Sequence, residues 1–411
     1  MQFCALMATE VKTPRENTST VEVADIFRRF GKAYLSKEKL TSRQYKAMGA
    51  MMACRTPASG HHVDSCDNCG HTQYDYNSCR DRHCPKCQGI SRKKWVAARL
   101  RDILPVPYYH VVFTLPHLLN ELISYNKKFF YELILSKSSE TLLTFGRDPK
   151  WLGGEIGFYG ILHTWGQLLW PHVHVHFIVA GGALSDEGKW IEPASKDKFL
   201  FPEAALSQVF RGKFIEALKA AYFDGQLTIP PNLVSIMDDE DRFEAWVNRL
   251  VSTDWVVYCK PPFGGAEEVV SYIGRYTHKV AISNNRILDM DDANVRFLYR
   301  NYKRSRSEWR QATLSADNFI RRFLWHILPK GFHKIRHYGF LANGRCGAMV
   351  SRIREILCDT SMIVCSLVEQ VIRCPRCLIG RLSTIKVIDR YGNLIHSQFL
   401  AENLNMAYDS L

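Results

Sequence analysis

The chain has 411 residues, of which 46% are hydrophobic and 12% aromatic, and this composition excludes a disordered chain and allows two or three domains with their own cores. The formal net charge of +13, with an isoelectric point near 9.1, favours a polyanionic partner such as a nucleic acid. No stretch approaches the roughly 18 uncharged apolar residues of a membrane span, and the N-terminal apolar run is too short for a signal peptide. We therefore expect a cytoplasmic protein with no membrane partner.

Helical and strand patterns alternate along the chain after a polar segment at residues 1–20. The predicted helices cover residues 21–36, 41–53, a basic stretch from residue 91, 116–143, 202–222, 266–277 and 315–328. The predicted strands cover residues 108–115, 155–166, 172–181, 254–260, 295–302 and 308–314. Residues 54–90 show little periodicity, and the Pro-Pro-Phe-Gly-Gly run at residues 261–265 should end a strand. This order predicts an α+β fold with an antiparallel sheet.

The thirteen cysteines indicate metal binding rather than disulfides, because the chain is expected in the cytosol. Two Cys-x-x-Cys pairs, Cys66 with Cys69 and Cys84 with Cys87, have the spacing of a single tetrahedral zinc site. A second, interleaved set would consist of Cys54, Cys79, His83 and either His61 or His62. The alternative is that Cys79 and His83 are surface groups or only support the first site. We therefore expect a structural zinc module, with two ions if both sets bind.

Basic residues within and after this module are candidates for DNA contact. They are Arg80, Arg82, Lys86, Arg92, Lys93 and Lys94, with Tyr74 and Tyr76 nearby. A zinc nucleobase deaminase is excluded, because no histidine has a glutamate two residues later. Near the C-terminus, Cys374 and Cys377 form a lone Cys-x-x-Cys. It either joins Cys358 and Cys365 in a third site or is half of a ribbon that binds nothing.

Three histidines alternate in the predicted strand at residues 172–181. His172, His174 and His176 would lie on one face of that strand, and the apolar residues that follow indicate that the strand is buried. Buried imidazoles are costly unless they bind something, although a solvent-facing polar edge is the alternative. A third ligand is needed, and His163 on the neighbouring predicted strand is favoured over Gln167 and His172.

Two tyrosines occur four residues apart in the predicted helix at residues 266–277. Tyr272 and Tyr276 would share one face of that helix, which suits either two nucleophiles or a stripe of core residues. Arg275 and Lys279 could bind a phosphate, and His278 could contact it as well. Together with the histidines, this pattern predicts metal-assisted attack of a phenol on a phosphodiester.

At these motifs the chain resembles the HUH-type rolling-circle transposases of the insertion-sequence-91 kind. The matching stretches are CRTPA at residues 54–58, NSCRDRHCPKC at 77–87, PYYHVVFTLP at 107–116, HTWG at 163–166, HVH at 174–176, YIGRYTH at 272–278 and LPKGF at 328–332. They follow the family's order and cover roughly residues 22–345. Within that stretch, Val173 stands where the family often has proline.

The resemblance implies a DNA-binding zinc domain and a nuclease domain with an RRM-like antiparallel sheet. It implies His174 and His176 as ligands of Mg²⁺ or Mn²⁺, Tyr272 and Tyr276 as nucleophiles, and His62 rather than His61 as a zinc ligand. Imidazole tolerates Mn²⁺ more readily than Mg²⁺, which prefers oxygen. The expected domains are a flexible N-terminus (1–20), the zinc-binding DNA-binding domain (21–95), the catalytic domain (96–283), its extension (284–345) and a tail (346–411).

The implied function is nicking and rejoining of single-stranded DNA at insertion-element ends through a 5′-phosphotyrosine. The expected partner is that DNA, with no small-molecule substrate and with a homo-oligomer left open. One alternative with the same chemistry is a plasmid or phage replication initiator, or a relaxase. The other is a zinc-containing DNA-binding regulator that forms no covalent adduct. Flanking DNA and an adduct assay would separate them.

Overall fold

The computed structural model describes residues 13–14, 16–193, 200–263, 274, 280–302, 307–358 and 373–396. The helices of this part are α1 Val23–Lys37, α2 Ser42–Ala53, α3 Gln88–Leu100, α4 Asn120–Tyr125, α5 Lys127–Arg147, α6 Glu203–Phe223, α7 Val234–Met237, α8 Glu240–Val251, α9 Ala316–Trp325 and α10 Cys346–Ile356. The strands are β1 His61–Cys66, β2 Thr72–Tyr76, β3 Tyr108–Thr114, β4 Gly157–Trp165, β5 Pro171–Ala180, β6 Ala183–Leu184, β7 Trp190–Ile191, β8 Val257–Phe263, β9 Ile287–Met290, β10 Asn294–Asn301, β11 Glu308–Ser315, β12 Ile335–Gly339, β13 Leu382–Ile388 and β14 Leu394–His396. None of these helices combines the length and apolar character needed to cross a bilayer.

A five-stranded antiparallel sheet in the order β12-β4-β5-β3-β8 forms the centre of the molecule. The predicted α+β class with an antiparallel sheet is therefore confirmed. Along β5, Val173, Val175 and Phe177 alternate with the histidines and face the largest core, which also contains residues of α5, α6 and α8. One face of β5 is therefore packed in the core, and the opposite face carries the imidazoles.

The opposite face of the central sheet is covered by α3 and α10 at one end. Tyr159 of β4 and Ile178 of β5 pack there with residues of both helices in a smaller core. The indole ring of Trp95 meets the Tyr159 ring edge-on, with centroids 6.5 Å apart. Because Tyr159 and His163 are four residues apart on one strand, this covered patch and the histidines share a face.

Strand β8 extends to residue 263, so the prediction that the two prolines at residues 261 and 262 end it was wrong. The strand lies at the edge of the central sheet, where a missing backbone N–H is tolerated. Of the helix predicted at residues 266–277, only Gly274 lies within the described residues. Gly274 is helical and buried, and a Cβ added there would come within 2.6 Å of Val96 Cγ2 in α3.

A second core joins the N-terminal helices to residues far along the chain. α1 and α2 pack with α9 and with the three-stranded sheet β11-β10-β9, for example through an edge-on contact of Phe27 and Phe323 at 5.4 Å between centroids. Thr41 caps α2 with a reciprocal capping box to Gln44, at the start of the helix predicted for residues 41–53. Ser315 likewise caps α9. Residues of the expected domains 21–95 and 284–345 therefore share one core.

A four-stranded antiparallel sheet in the order β14-β13-β1-β2 combines both ends of the chain. Its β1–β2 hairpin lies within residues 54–90, where the sequence shows little periodicity and no strand was predicted. Strands β13 and β14 come from the segment expected to be a tail. The hairpin is short and mostly exposed along β2, so its sequence shows no alternation of apolar residues that would indicate a strand.

Candidate functional site

The central sheet brings together the three histidines predicted to bind a metal. His163 of β4 lies directly opposite His174 in the β4–β5 register, and His176 is two residues further along β5 on the same face. One ligand atom from each of these three imidazoles lies within 4.8 Å of the others. The ring centroids are 4.5 Å apart for His163 and His176, and 4.8 Å apart for His174 and His176. We call these three residues the histidine cluster.

Hydrogen bonds fix the orientation of two of these rings. Nδ1 of His174 donates to the carbonyl oxygen of His172 over 2.8 Å. Nδ1 of His176 lies 2.7 Å from Nε2 of His110, whose ring stacks parallel to it with centroids 5.0 Å apart. Because both contacts engage Nδ1, we assign Nε2 as the ligand atom of His174 and His176. Support of the far nitrogen is the usual arrangement for metal-binding histidines.

The environment keeps the imidazoles of His174 and His176 neutral. Burial, together with the neighbouring His172, lowers the pKa of His174 to about 3. Burial and the adjacent imidazoles, beginning with His163, hold the pKa of His176 well below its ordinary value. A neutral imidazole has the lone pair that a metal needs. Together with His163, these two residues give three imidazole donors, a set that could hold a divalent ion with coordination positions left open for a phosphate.

The two rival candidates for the third ligand are engaged elsewhere. Gln167 accepts a hydrogen bond from the backbone N–H of Arg300 through its side-chain oxygen, at 3.3 Å. His172 lies on the cluster's face, but its Nδ1 is 3.0 Å from Nε2 of His117. Alternation along β5 aligns the imidazoles of His172, His174 and His176 on one face. The pairing of β5 with β4 then determines that His174 and His176 are the ones close to His163.

Two residues beside the cluster were missed from the sequence. His110 is buried in β3, and the pKa of His110 is lowered to about 3 by burial and then by the charge of Lys260. Lys260 lies opposite His110 on the edge strand β8, and its side chain is exposed. A lone histidine in the otherwise apolar and aromatic run 108–113 was the available signal for His110. Lys260 could be placed near His110 only from the β3–β8 register, which the sequence does not reveal.

The predicted nucleophiles Tyr272 and Tyr276 lie outside the described residues, as do Arg275, His278 and Lys279. Gly274, between the two tyrosines, packs against Val96 of α3. Helix α3 covers the sheet face that carries the histidine cluster. Gly274 therefore lies against the helix that covers this face.

Four thiols meet at the base of the β1–β2 hairpin, and we call them the base cluster. They are Cys54, Cys79, Cys84 and Cys87. Cys54 precedes the hairpin and Cys79 follows it, and the Arg55 N–H donates to the Asn77 carbonyl over 3.0 Å between them. The sulfurs of Cys54 and Cys87 are 3.3 Å apart, and those of Cys79 and Cys87 are 3.6 Å apart.

The other Cys-x-x-Cys of the module lies at the opposite end of the hairpin. Cys66 ends β1, and Cys69 lies in the turn, so the predicted pairing of these two with Cys84 and Cys87 disagrees with the structure. The physical reason is the length of the strands, since about six residues at ~3.3 Å each separate the base from the turn by roughly 20 Å. Cys66 and Cys69 instead meet Cys374 and Cys377 in a second group, the tip cluster.

The two histidines predicted as zinc ligands have other roles. His62 is not part of the base cluster, and its Nδ1 lies 3.0 Å from the side-chain oxygen of Asn77. His83 is fully buried, with Nδ1 bonded to Asp81 at 2.8 Å, and its Nε2 accepts the N–H of Leu328 at 3.1 Å. Both of its nitrogens are engaged, so His83 connects the module to the segment after α9 rather than to the thiols.

The residues predicted to contact DNA divide into several groups. The guanidinium of Arg82 donates to the carbonyl oxygen of Pro329 over 2.9 Å, which links the module to the segment after α9. Lys86 forms an ion pair with Glu22 at 2.9 Å. Arg80 is exposed. The side chains of Arg92, Lys93 and Lys94, on α3, lie outside the described part of the chain.

The chain is basic and carries both thiol clusters and an imidazole cluster, a combination consistent with a nucleic-acid partner, and the comparisons define the class. Residues 157–348 match the family described as "Putative transposase", and residues 26–115 match the one described as "Transposase zinc-binding domain". The chain is thus a transposase. It belongs to the transposase family of the insertion-sequence-91 kind, which confirms the resemblance found in its motifs.

Two relatives support this assignment over most of the chain. The protein named "Putative transposase y4qJ" from Sinorhizobium fredii (strain NBRC 101917 / NGR234) is 42% identical over 385 residues, covering 90% of this chain and 96% of the relative. The "Transposase for insertion sequence element IS801" from Pseudomonas savastanoi pv. phaseolicola is 29% identical over 329 residues, covering 79% and 76%. No solved structure matches the chain.

Proposed function

We propose that this transposase nicks and rejoins single-stranded DNA at the ends of an insertion element through a 5′-phosphotyrosine intermediate. The observation that supports this best is the histidine cluster, because three imidazoles converge on one face of the central sheet and burial keeps those of His174 and His176 neutral. In a DNA transposase such a group has an evident use, which is to hold a divalent ion at the scissile phosphate. Tyr272 and Tyr276 are the proposed nucleophiles.

The chain's own residues prepare this site before DNA arrives. His163, His174 and His176 would hold Mg²⁺ or Mn²⁺, and His110 would keep the His176 ring in position through its contact with Nδ1. Such an ion polarises the phosphate oxygens and neutralises the charge that develops on them. Lys260, exposed on the adjoining edge strand, would bind a neighbouring phosphate of the backbone.

The proposed covalent step needs no further reactant. The phenol oxygen of a tyrosine attacks phosphorus, a new P–O bond to tyrosine forms, and the P–O bond to the 3′ oxygen breaks. The phenol loses its proton, and the departing 3′ oxygen gains one, so the products are a 5′-phosphotyrosine and a free 3′-OH. Because one phosphodiester replaces another, a 3′-OH can reverse the step and join strands without ATP. Two tyrosines would allow two such steps at two ends.

The base cluster is the proposed structural zinc site of the family's zinc-binding domain. Cys54 and Cys84 are buried in the second core, next to α1, α2 and α9. Four sulfurs at 3.3–3.8 Å from their neighbours suit one tetrahedral ion, since Zn–S bonds of about 2.3 Å place sulfurs about 3.8 Å apart. Zinc bound there would fix the base of the hairpin to α1, α2 and α9, the helices of the second core.

The proposal is tested by incubating the full chain with single-stranded element-end oligonucleotides and Mg²⁺ or Mn²⁺, followed by denaturing gel electrophoresis. The expected product is a protein–DNA adduct that survives denaturation. Tyr272→Phe or Tyr276→Phe alone should leave one phenol able to react, and the double variant should form no adduct. An unchanged adduct in the double variant would refute the nucleophile assignment. DNA binding by the wild type without any adduct would favour a non-catalytic regulator.

A further inference from the structure

We propose that the tip cluster, Cys66, Cys69, Cys374 and Cys377, is a second structural zinc site that joins the two ends of the chain. Its two Cys-x-x-Cys pairs are separated by 311 positions between Cys66 and Cys377. The N-terminal zinc module is then a split unit, completed only by the segment around β13. This inference concerns the architecture of the module and stands apart from the nicking chemistry.

The sulfur geometry fits a tetrahedral ion. Sγ of Cys66 lies 3.7 Å from Sγ of Cys377, and Sγ of Cys69 lies 3.7 Å from Sγ of Cys374. All four sulfurs are within 4.8 Å of one another. The edge of a ZnS₄ tetrahedron is about 3.8 Å for Zn–S bonds of ~2.3 Å, whereas a disulfide would bring two sulfurs to about 2.05 Å.

Each pair is folded into a loop that directs backbone donors at sulfur. In the first loop, the N–H groups of Asn68 and Cys69 donate to Sγ of Cys66 at 3.4 and 3.5 Å. In the second, the N–H of Gly380 donates to Sγ of Cys377 at 3.3 Å. Such bonds stabilise the thiolate form, which is the form that binds zinc. Each of the two loops thus supplies at least one backbone donor to a cysteine sulfur of the cluster.

The two loops also match each other independently of the sulfurs. Asp67 and Arg381 exchange two hydrogen bonds, from the Arg381 N–H to the Asp67 carboxylate at 2.7 Å and from the Asp67 N–H to the Arg381 carbonyl at 3.1 Å. A Cβ at Gly380 would come within 2.4 Å of Cys66 Sγ, so only glycine permits this approach. Strand pairing continues from Cys66 opposite Leu382 to His61 opposite Ile388.

The consequence is that the N-terminal part of the module lacks half of the ligands of its second site. Without residues 373–388, β1 would also lose its β13 neighbour and become an exposed edge. Zinc at the tip would therefore stabilise the pairing of β1 with β13 in the four-stranded sheet. Zinc binding to a site that is not preformed in the unfolded chain contributes directly to folding.

Zinc content per chain, measured by mass spectrometry of the metal after purification in reducing buffer, tests the ligand set. Cys377→Ser should contain one zinc fewer than the wild type, while Cys358→Ser, which changes an exposed thiol outside both clusters, should contain as much as the wild type. Combining Cys66→Ser with Cys377→Ser should still lose only one ion. Combining Cys66→Ser with Cys84→Ser should lose two. Wild-type zinc content in soluble Cys377→Ser would overturn the proposal.

A second measurement uses the wild-type chain and so does not depend on whether a variant folds. N-ethylmaleimide is added under native conditions with and without 1,10-phenanthroline, and labelled cysteines are mapped by peptide mass spectrometry. Cys69 is exposed, so its protection would signal coordination rather than burial. Cys69 and Cys377 should resist labelling with zinc present and become labelled together when the chelator is added. Rapid labelling of both in the zinc-containing protein would contradict the proposed site.

Discussion

The histidine cluster and the cysteine clusters differ in how the chain brings their members together. His163 and His174 lie on adjacent strands of one hairpin and are opposite each other in its register. The tip cluster instead joins residues 311 positions apart in sequence. Local strand geometry therefore identifies the members of the first site. For the cysteines, Cys-x-x-Cys spacing identifies ligands but gives no information about which pair completes each site.

The largest expected effect is a loss of stability, and it should differ between substitutions in the base cluster and in the tip cluster. Cys84 is 2% exposed within the second core, so Cys84→Ser should abolish zinc at the base and disrupt the packing of α1 and α2. Structural zinc contributes about 10–16 kcal/mol in small modules, which is comparable to the stability of a whole domain. Cys69→Ser, at an exposed thiol, should lose one zinc but keep that core. Thermal melting and limited proteolysis would show the difference, and wild-type melting of Cys84→Ser would contradict this account.

The histidine cluster is tested by a series along one strand. His174→Ala and His176→Ala should each lower nicking more than about 100-fold, which exceeds the 10–100-fold typical of residues that only support a ligand. His172→Ala is the matched control, because its ring contacts His117 and its carbonyl, which orients His174, is retained. Nicking rates at fixed Mn²⁺ give the comparison. Equal losses in all three variants would indicate general damage to β5 instead.

His110 should show a smaller effect of a different kind. His110→Ala removes the partner of Nδ1 in His176, so metal affinity should fall by about 10–100-fold. Raising the Mn²⁺ concentration should restore most of the activity, which a folding defect would not permit. Nicking measured across a Mn²⁺ titration therefore distinguishes a positioning role from a structural one. An unchanged Mn²⁺ dependence would exclude the proposed role.

His326 provides the smallest effect and a contrast with the cluster. Both of its nitrogens bond within the protein, Nδ1 to the Thr164 hydroxyl at 3.1 Å and Nε2 to the Leu169 carbonyl at 3.1 Å, and burial lowers the pKa of His326 to about 3. Between that value and about 6.5 the unfolded chain binds more protons, so stability should fall as the pH drops below 6.5. The slope from this group is at most ~1.4 kcal/mol per pH unit. His326→Gln should flatten it in urea denaturation at pH 5, 6 and 7, and an identical slope would argue against this origin.

Much of the fold was predictable because its signals are local. The caps at Thr41 and Ser315, the apolar run of β3 and the β4–β5 hairpin all depend on neighbouring residues. The five-stranded sheet was only partly predictable, since β12 pairs with β4 across a long stretch of chain. Its residues are partly buried and do not alternate in polarity, so nothing local marked them as a strand.

The sites show the same limit. His163, His174 and His176 were found from alternation and hairpin geometry, and the structure groups them. The grouping of Cys66 with Cys374 depends on β1 pairing with β13, which no spacing rule contains. The base cluster could have been predicted from the sequence, because a hairpin between Cys54 and Cys79 places those two residues side by side. Recognising that short hairpin would have corrected the predicted pairing.

The central claim, covalent cleavage of DNA at the histidine cluster, is tested most directly by mapping the protein–DNA bond. The wild-type chain is reacted with a single-stranded element-end oligonucleotide and Mn²⁺, digested with protease and nuclease, and the nucleotide-bearing peptide is identified by mass spectrometry. The account predicts a 5′-phosphate ester on Tyr272 or Tyr276, absent from His174→Ala and His176→Ala but present in His172→Ala. A nucleotide on any other residue, or an adduct that forms equally well without His174 and His176, would contradict it.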